Sequence, residues 1–333
     1  HDGTDEASGS PVFGTTDREH VVWDGFYVDD ATSPSHSDTG PVVIWGSTDV
    51  TISRCEIRGT TIAREDNHTG IRLEVTRGAR VVNNRIHGIH NAATPSQNHA
   101  AIQAYDTSHA LIEHNEIFDV DVGIFPKGDH ADDGFPNGAY SIRYNRVSDT
   151  LLQATKVLGV VEVDETPTEI AHNLLAGGSG AVIFTAVGTD HPAAVRFHHN
   201  TIIGGSEGAV AAFPPTMFDV AITDNLVVGA PVLYTSWDDA TITTVRGNGF
   251  AMAGNFGDPT TDWAVSEAGW SHPLASWQAF SGLDADSSVG DPTFVGTGDY
   301  HLAPGSPART ASSTDGPAGC YVTGDEVIGI DLD

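Results

Sequence analysis

Only two lysines, Lys127 and Lys156, occur in the 333 residues of this chain, and Lys127 opens the acidic loop KGDHADDGFPNGA (127–139). A lysine whose charge is destabilised can remove the proton α to a carboxyl group while a nearby cation or metal ion takes up the enolate-like charge. Tyr105 could serve as the base in its place. Asp129, Asp132 and Asp133 follow Lys127 in the same loop. Hard oxygen donors on a flexible loop suit Ca²⁺, so these three are the candidate ligands. A second chemistry is open at VVEVD (160–164). Glu162 and Asp164 on one strand face stand about 7 Å apart, within the separation of about 6.5–9.5 Å used by inverting glycosidases.

The elements that must position these groups are repeats. VVWDGFYV (21–28), VTISRCEI (50–57), RVVNNRIH (80–87), ALIEHNEI (110–117), SIRYNRVS (141–148), TEIAHNLL (168–175), RFHHNTII (196–203) and AITDNLVV (221–228) align with one another. One column then holds Gly25, Cys55, Asn84, Asn115, Asn145, Asn173, Asn200 and Asn225, in steps of 25 to 31 residues. Self-similarity at this period signals a stacked repeat. Apolar residues alternate within each copy and a turn-forming Asn ends it, which is a strand entering a turn. A second strand follows in each period: PVVIW (41–45), GIRLE (70–74), AIQAY (101–105), GIFPK (123–127), VVEVD (160–164), AVIFT (181–185), AVAAF (209–213) and PVLYT (231–235). Stacked in register, the Asn column becomes an internal amide ladder.

This pattern resembles the right-handed parallel β-helix family, the fold of pectate lyases, polygalacturonases, chondroitinase B-like lyases and alginate epimerases. The expected fold is therefore all-β, a solenoid of about eight to ten coils over residues 17–255, with an extension at 1–16 and a cap and tail at 256–333. The segment 270–308 resembles the C-terminal closing module of bacterial secreted β-helix proteins; its helix is expected at Pro273–Phe280.

The Asn register places an outward row at Trp45, Glu74, Tyr105, Lys127, Asp164, Thr185, Phe213 and Thr235. A parallel row holds Val43, Arg72, Gln103, Phe125, Glu162, Ile183, Ala211 and Leu233. Coils about 4.8 Å apart would spread Glu74, Tyr105, Lys127 and Asp164 over about 15 Å. Trp45 and Phe213 are candidates to stack on sugar rings, and Arg72, Glu74 and Gln103 to take sugar hydroxyls. Long connections at 58–69, 90–99, 127–139 and 148–159 would stand as walls, and wall loops on a regular scaffold carry function. The resemblance implies a basic residue on an outward strand position beside acidic Ca²⁺ ligands. The chondroitinase B-like pattern places an arginine one coil after its lysine; here Asp164 takes that place.

The formal charge is −30, from 45 acidic and 15 basic residues, with the acids dispersed. That excludes nucleic acid and anionic membranes as partners, since both need clustered Lys and Arg. Cys55 and Cys320 lie too far apart in sequence to suggest a disulfide framework. The chain begins at His1 without an apolar leader, which reads as a processed product, with missing material or a partner covering the first coil. His172, His199 and Asp224 precede column residues and could hold a metal, but no tight chelating motif joins them, so they read as a surface ladder. The expectation is an extracellular monomer acting on a polysaccharide: a lyase first, then a glycoside hydrolase or epimerase using Glu162 and Asp164, and otherwise a carbohydrate-binding or adhesion protein.

Overall fold

The computed structural model describes residues 13–29, 40–59, 68–91, 94–128, 135–178, 180–185, 194–204, 208–213, 219–228, 242–246, 248–250, 274–314 and 316–331. Within them the chain winds into a parallel β-solenoid. One sheet has nine strands, one per coil, from Val22–Asp24 to Ile242–Arg246. A second sheet of 16 strands covers two further faces. Two long strands, Glu116–Lys127 and Arg146–Leu158, join those faces by passing round the corner unbroken.

Alternate residues point inward along each strand. Ile52, Val81, Ile112, Ile142, Ile170, Phe197 and Ile222 therefore stack as one fully buried row, and Ile57, Ile86, Ile117, Val147, Leu175 and Ile202 as another. Between them runs the amide ladder. Asn84, Asn115, Asn145, Asn173, Asn200, Asn225 and Asn248 are buried, and each Nδ2 donates to the Oδ1 of the next at 2.9–3.1 Å along the column. Each Nδ2 also donates to a strand carbonyl one coil back, as Asn145 does to Ile112. Each Oδ1 accepts a second bond from the backbone N–H of the preceding column residue. The column is thus a buried polar network with its partners in place, the condition under which such networks stabilise a fold.

The residue before the column takes left-handed backbone in every such coil: Arg54, Asn83, His114, Tyr144, His172, His199 and Asp224 have φ between 51° and 58°. That bend turns the chain round the corner. In the first coil Gly25 fills the left-handed position, at φ +72°. Pairing of Trp23 with Ile52 and of Tyr27 with Glu56 then puts Phe26, not Gly25, in the column. The repeat alignment is one residue out of step there, because a glycine in a turn looks like the turn-forming Asn of the other coils.

The C-terminal helix spans Leu274–Ser281, and Gly282 follows it at φ +71°. Leu274 packs into the main core cluster, so the helix covers the end of that core. Ser288–Val289 adds a last parallel strand beside Gly249–Phe250. The tail then runs back along the corner of the left-handed residues. Gly319 N donates to Asp224 O at 3.0 Å, Cys320 N to Thr201 Oγ1 at 3.0 Å, Gly329 N to Tyr144 O at 2.8 Å and Asp331 N to Asn83 Oδ1 at 2.8 Å. Cys55 and Cys320 are both free and buried.

Candidate functional site

The sheet face formed by Val42–Trp45, Thr69–Glu74, Ala100–Tyr105 and the second half of Glu116–Lys127 has the expected register. Trp45 pairs with Glu74, Glu74 with Tyr105 and Tyr105 with Lys127, and beside them Val43 pairs with Arg72, Arg72 with Gln103 and Gln103 with Phe125. The next coil differs. Lys127 pairs with Leu158, and Ile124 with Thr155, which sets Lys156 beside Phe125. Gln153–Leu158, not VVEVD, is therefore the second strand of that coil, and the expected loop at 148–159 is a strand as far as Leu158. The error has a physical source. VVEVD alternates perfectly but follows the turn at Gly159 (φ +62°), whereas QATKVL places Thr155 in a position held by Ile elsewhere and so hides its strand.

Two candidates move off the face as a result. Asp164 lies in the turn after Val163, where its Oδ2 accepts from Arg77 Nη2 at 2.8 Å and meets His109 Nε2 at 3.1 Å. The Arg77 hydrogen bond, and after it that of His109, hold its carboxyl below the usual range. A carboxylate so fixed in its charged form is a poor proton donor, and Glu162 is exposed between Val161 and Val163, ahead of that turn. The pair is not the neighbour of Lys127, and the hydrolase assignment to Glu162 and Asp164 loses its geometry.

The strands gather the chain's two lysines with Arg72 instead. Lys127 Nζ lies 5.3 Å from the ring centre of Tyr105 and 5.9 Å from that of Phe125. Lys156 Nζ lies 4.6 Å from the same Phe125 ring. The Arg72 guanidinium is 5.7 Å from Tyr105, and it donates to Glu74 Oε2 at 2.5 Å and to Gln103 Oε1 at 2.9 Å. Arg72, Glu74, Gln103 and Lys156 are buried, while Trp45, Tyr105 and Lys127 are partly open. Burial, and then the charge of Lys127, draw the Lys156 ammonium down to about 8. Sequence reasoning passed over Lys156, although its rarity in this chain was a signal.

Residues 94–99 stand over this face, where a wall was expected. Gln97 accepts from Lys156 Nζ through its side-chain Oε1 at 3.0 Å and its backbone carbonyl at 3.4 Å. Asp121, fully buried at the corner of the long strand, anchors the loop: its Oδ2 accepts from Asn91 N at 3.1 Å and Ser96 N at 2.9 Å and lies 3.3 Å from His99 Nδ1. Asp129, Asp132 and Asp133 lie outside the described residues, as do Leu233 and Thr235. Phe213 pairs with Thr185 through its backbone as expected; its side chain is also outside the described set.

A family model for the right-handed beta helix region matches residues 40–250, and the chain belongs to that family. No curated protein and no solved structure matched the chain. The fold fits carbohydrate-active proteins generally.

Proposed function

We propose that the Lys127 face is the binding and reaction site of an extracellular polysaccharide lyase that cleaves a uronic-acid-containing glycan by β-elimination. One observation carries this reading: in a chain of charge −30, both lysines and Arg72 converge on one aromatic-bearing sheet face. A local cluster of positive charge in an otherwise acidic surface favours an anionic ligand. Trp45 and Tyr105 offer partly open rings to sugar faces, and Lys127 offers charge to a uronate carboxylate, while Arg72 is held beneath them by Glu74 and Gln103.

Lys156 is the proton acceptor in this proposal. Its environment already disfavours the ammonium, the property required of a base near neutral pH. Substrate would displace Gln97 from Lys156. The neutral amine then takes the proton α to the carboxylate. The electrons form a carbon–carbon double bond as the bond to the leaving glycosidic oxygen breaks; that oxygen takes a proton from solvent water, and the Lys156 ammonium then returns its proton to solvent. Lys127 stays charged beside the carboxylate and offsets the developing enolate charge. Ca²⁺ at Asp129, Asp132 and Asp133 is a separable part of the proposal, supported by the oxygen-rich loop next to Lys127. It is checked by chelation followed by add-back, with Ca²⁺ and not Zn²⁺ restoring any lost stability.

The test is a panel of uronic and neutral polysaccharides, read by ultraviolet absorbance of unsaturated ends and by reducing ends. Unsaturated product from a polyuronate is expected. Reducing ends without unsaturation would replace the lyase by a hydrolase, and binding with neither product would leave a carbohydrate-binding module.

A further inference from the structure

We propose that His172, His198 and His199 form a Zn²⁺ site at the corner between the nine-stranded sheet and the C-terminal tail, away from the lysine face. One nitrogen from each ring lies within 4.8 Å of the other two. Tetrahedral Zn–N bonds of about 2.0–2.1 Å set ligand nitrogens about 3.4 Å apart, so small ring rotations close the set. The His198 and His199 Nδ1 atoms already face each other at 2.9 Å. Only one of those two nitrogens can carry a proton in that contact, which leaves the other a lone pair. His172 Nδ1 is buried and has no hydrogen-bond partner.

A histidine ladder explains part of this arrangement and not the rest. The rings of His114, Tyr144, His172 and His199 do stack down the left-handed positions at 5.1–5.2 Å. His198 stands outside that ladder. It ends the strand Val195–His198, and its ring is edge-on to both His172 and His199, at 86° and 88°. Its other nitrogen, Nε2, meets Glu169 Oε1 at 3.2 Å. A carboxylate on the far nitrogen, as Glu169 supplies to His198, is how ligating histidines are oriented in metal sites. Asp224, the acidic member of the stack, is not the fourth ligand, because its carboxylate accepts from Ser313. Three imidazoles with the remaining position left to water match an open site.

Metal-stripped protein titrated with Zn²⁺ should bind one equivalent, and Co²⁺ should give the visible absorption of a four-coordinate nitrogen site. Thermal midpoint should rise by about 5 °C at a hundredfold excess over Kd. His198→Ala and His172→Ala should each weaken binding at least tenfold, whereas His301→Ala, at an exposed His–Asp pair, should leave it unchanged. His198→Gln keeps a polar side chain on a partly exposed strand end and decides the matter if either alanine variant fails to fold. Binding that survives His198→Gln, a six-coordinate Co²⁺ spectrum, or no saturable equivalent overturns the site. All of these readouts are independent of glycan cleavage.

Discussion

Lys127 and Lys156 stand on adjacent coils with the ring of Phe125 between them, their ammonium nitrogens 5.9 Å and 4.6 Å from its centre. Burial first, and then the charge of Lys127, disfavour the ammonium of Lys156. In Lys156, which is also the more buried of the two, the result is an amine drawn to about 8. An acid–base pair of like groups separated by environment can divide the work of an elimination, one neutral and accepting, one charged and binding.

The first expectation concerns pH. If Lys156 is the base, kcat/KM on a polyuronate should rise with pH and level off above about 8, because the neutral amine is the active form. Lys156→Ala should lower kcat about 10²–10⁴-fold, and Lys156→Arg should not restore it. A profile whose rising limb is unchanged in Lys156→Ala would remove this residue from the chemistry.

Lys127→Ala should raise KM and lower kcat together, because the ammonium both binds the carboxylate and offsets the developing enolate charge. The same variant should show a steeper rise of affinity with salt, because the attraction that salt weakens is gone while the repulsion that salt relieves remains. Above about 0.1 M ionic strength the dispersed acids are screened beyond about 10 Å, while contacts at the groove persist. Affinity of the native protein for a polyuronate should therefore improve as salt rises from about 0.01 M. An affinity that falls steadily over that range would show that the net charge does not oppose binding.

Lys156 also has a consequence for stability. Its pKa falls on folding, from about 10.4 in the unfolded chain to about 8. The folded state then binds fewer protons between those values. The lysine opposes folding most below about pH 8, and its cost fades as pH rises towards about 10.4. Cys320 works in the other direction: burial raises its thiol to about 12, so stability is lost as pH climbs above the unfolded value. The difference between native protein and Lys156→Met isolates the lysine. The variant should be more stable at pH 7, and its advantage should shrink by pH 10. A constant difference across that range would contradict the burial argument.

The fold was legible because the ladder demands one residue type. Only Asn supplies both the Nδ2 donor and the Oδ1 acceptor that neighbours such as Asn115 and Asn145 exchange, so the column appears as a letter repeated at a fixed period. Glu56, Arg85, Glu116 and Arg146, each one residue after the column, show the same logic in charge, since opposite charges pair across strands in register. The site was less so. Alternation could not distinguish Gln153–Leu158 from VVEVD, and the wrong choice replaced Lys156 with Glu162 and Leu158 with Asp164. His198 was missed because its partners come from one position along the chain and from the preceding coil, a spacing that no chelating motif describes.

The ladder itself can be weighed by substitution. Asn145→Ala removes donors to Asn173, Ile112 and Arg143 and the acceptor for Asn115. Buried groups left unsatisfied cost about 1–3 kcal/mol each, and neighbouring losses are not additive, so a total near 4 kcal/mol is expected. Cys55 holds the same column without an amide, so Cys55→Ala should cost about 1 kcal/mol. Equal losses in the two variants by denaturant melts would mean that the ladder adds little beyond packing.

The tail provides the last test of how the coils are held. Residues 319–331 donate backbone hydrogen bonds to groups on Asp224, Thr201, Tyr144 and Asn83, which belong to four different coils. A net value of about 1 kcal/mol for each hydrogen bond is partly offset by the entropy of ordering the segment. Burial of Ala318 and Cys320 adds apolar area to the balance. Deleting residues 317–333 should therefore lower the thermal midpoint by several degrees while the β-rich circular dichroism persists, because the ladder and the aliphatic rows lie wholly within the coils. Hydrogen exchange should accelerate at the corner residues Tyr144 and Asn83 and stay slow at Asn145. An unchanged midpoint would show that the tail merely rests on the solenoid, and loss of the β signal would show that the coils depend on it.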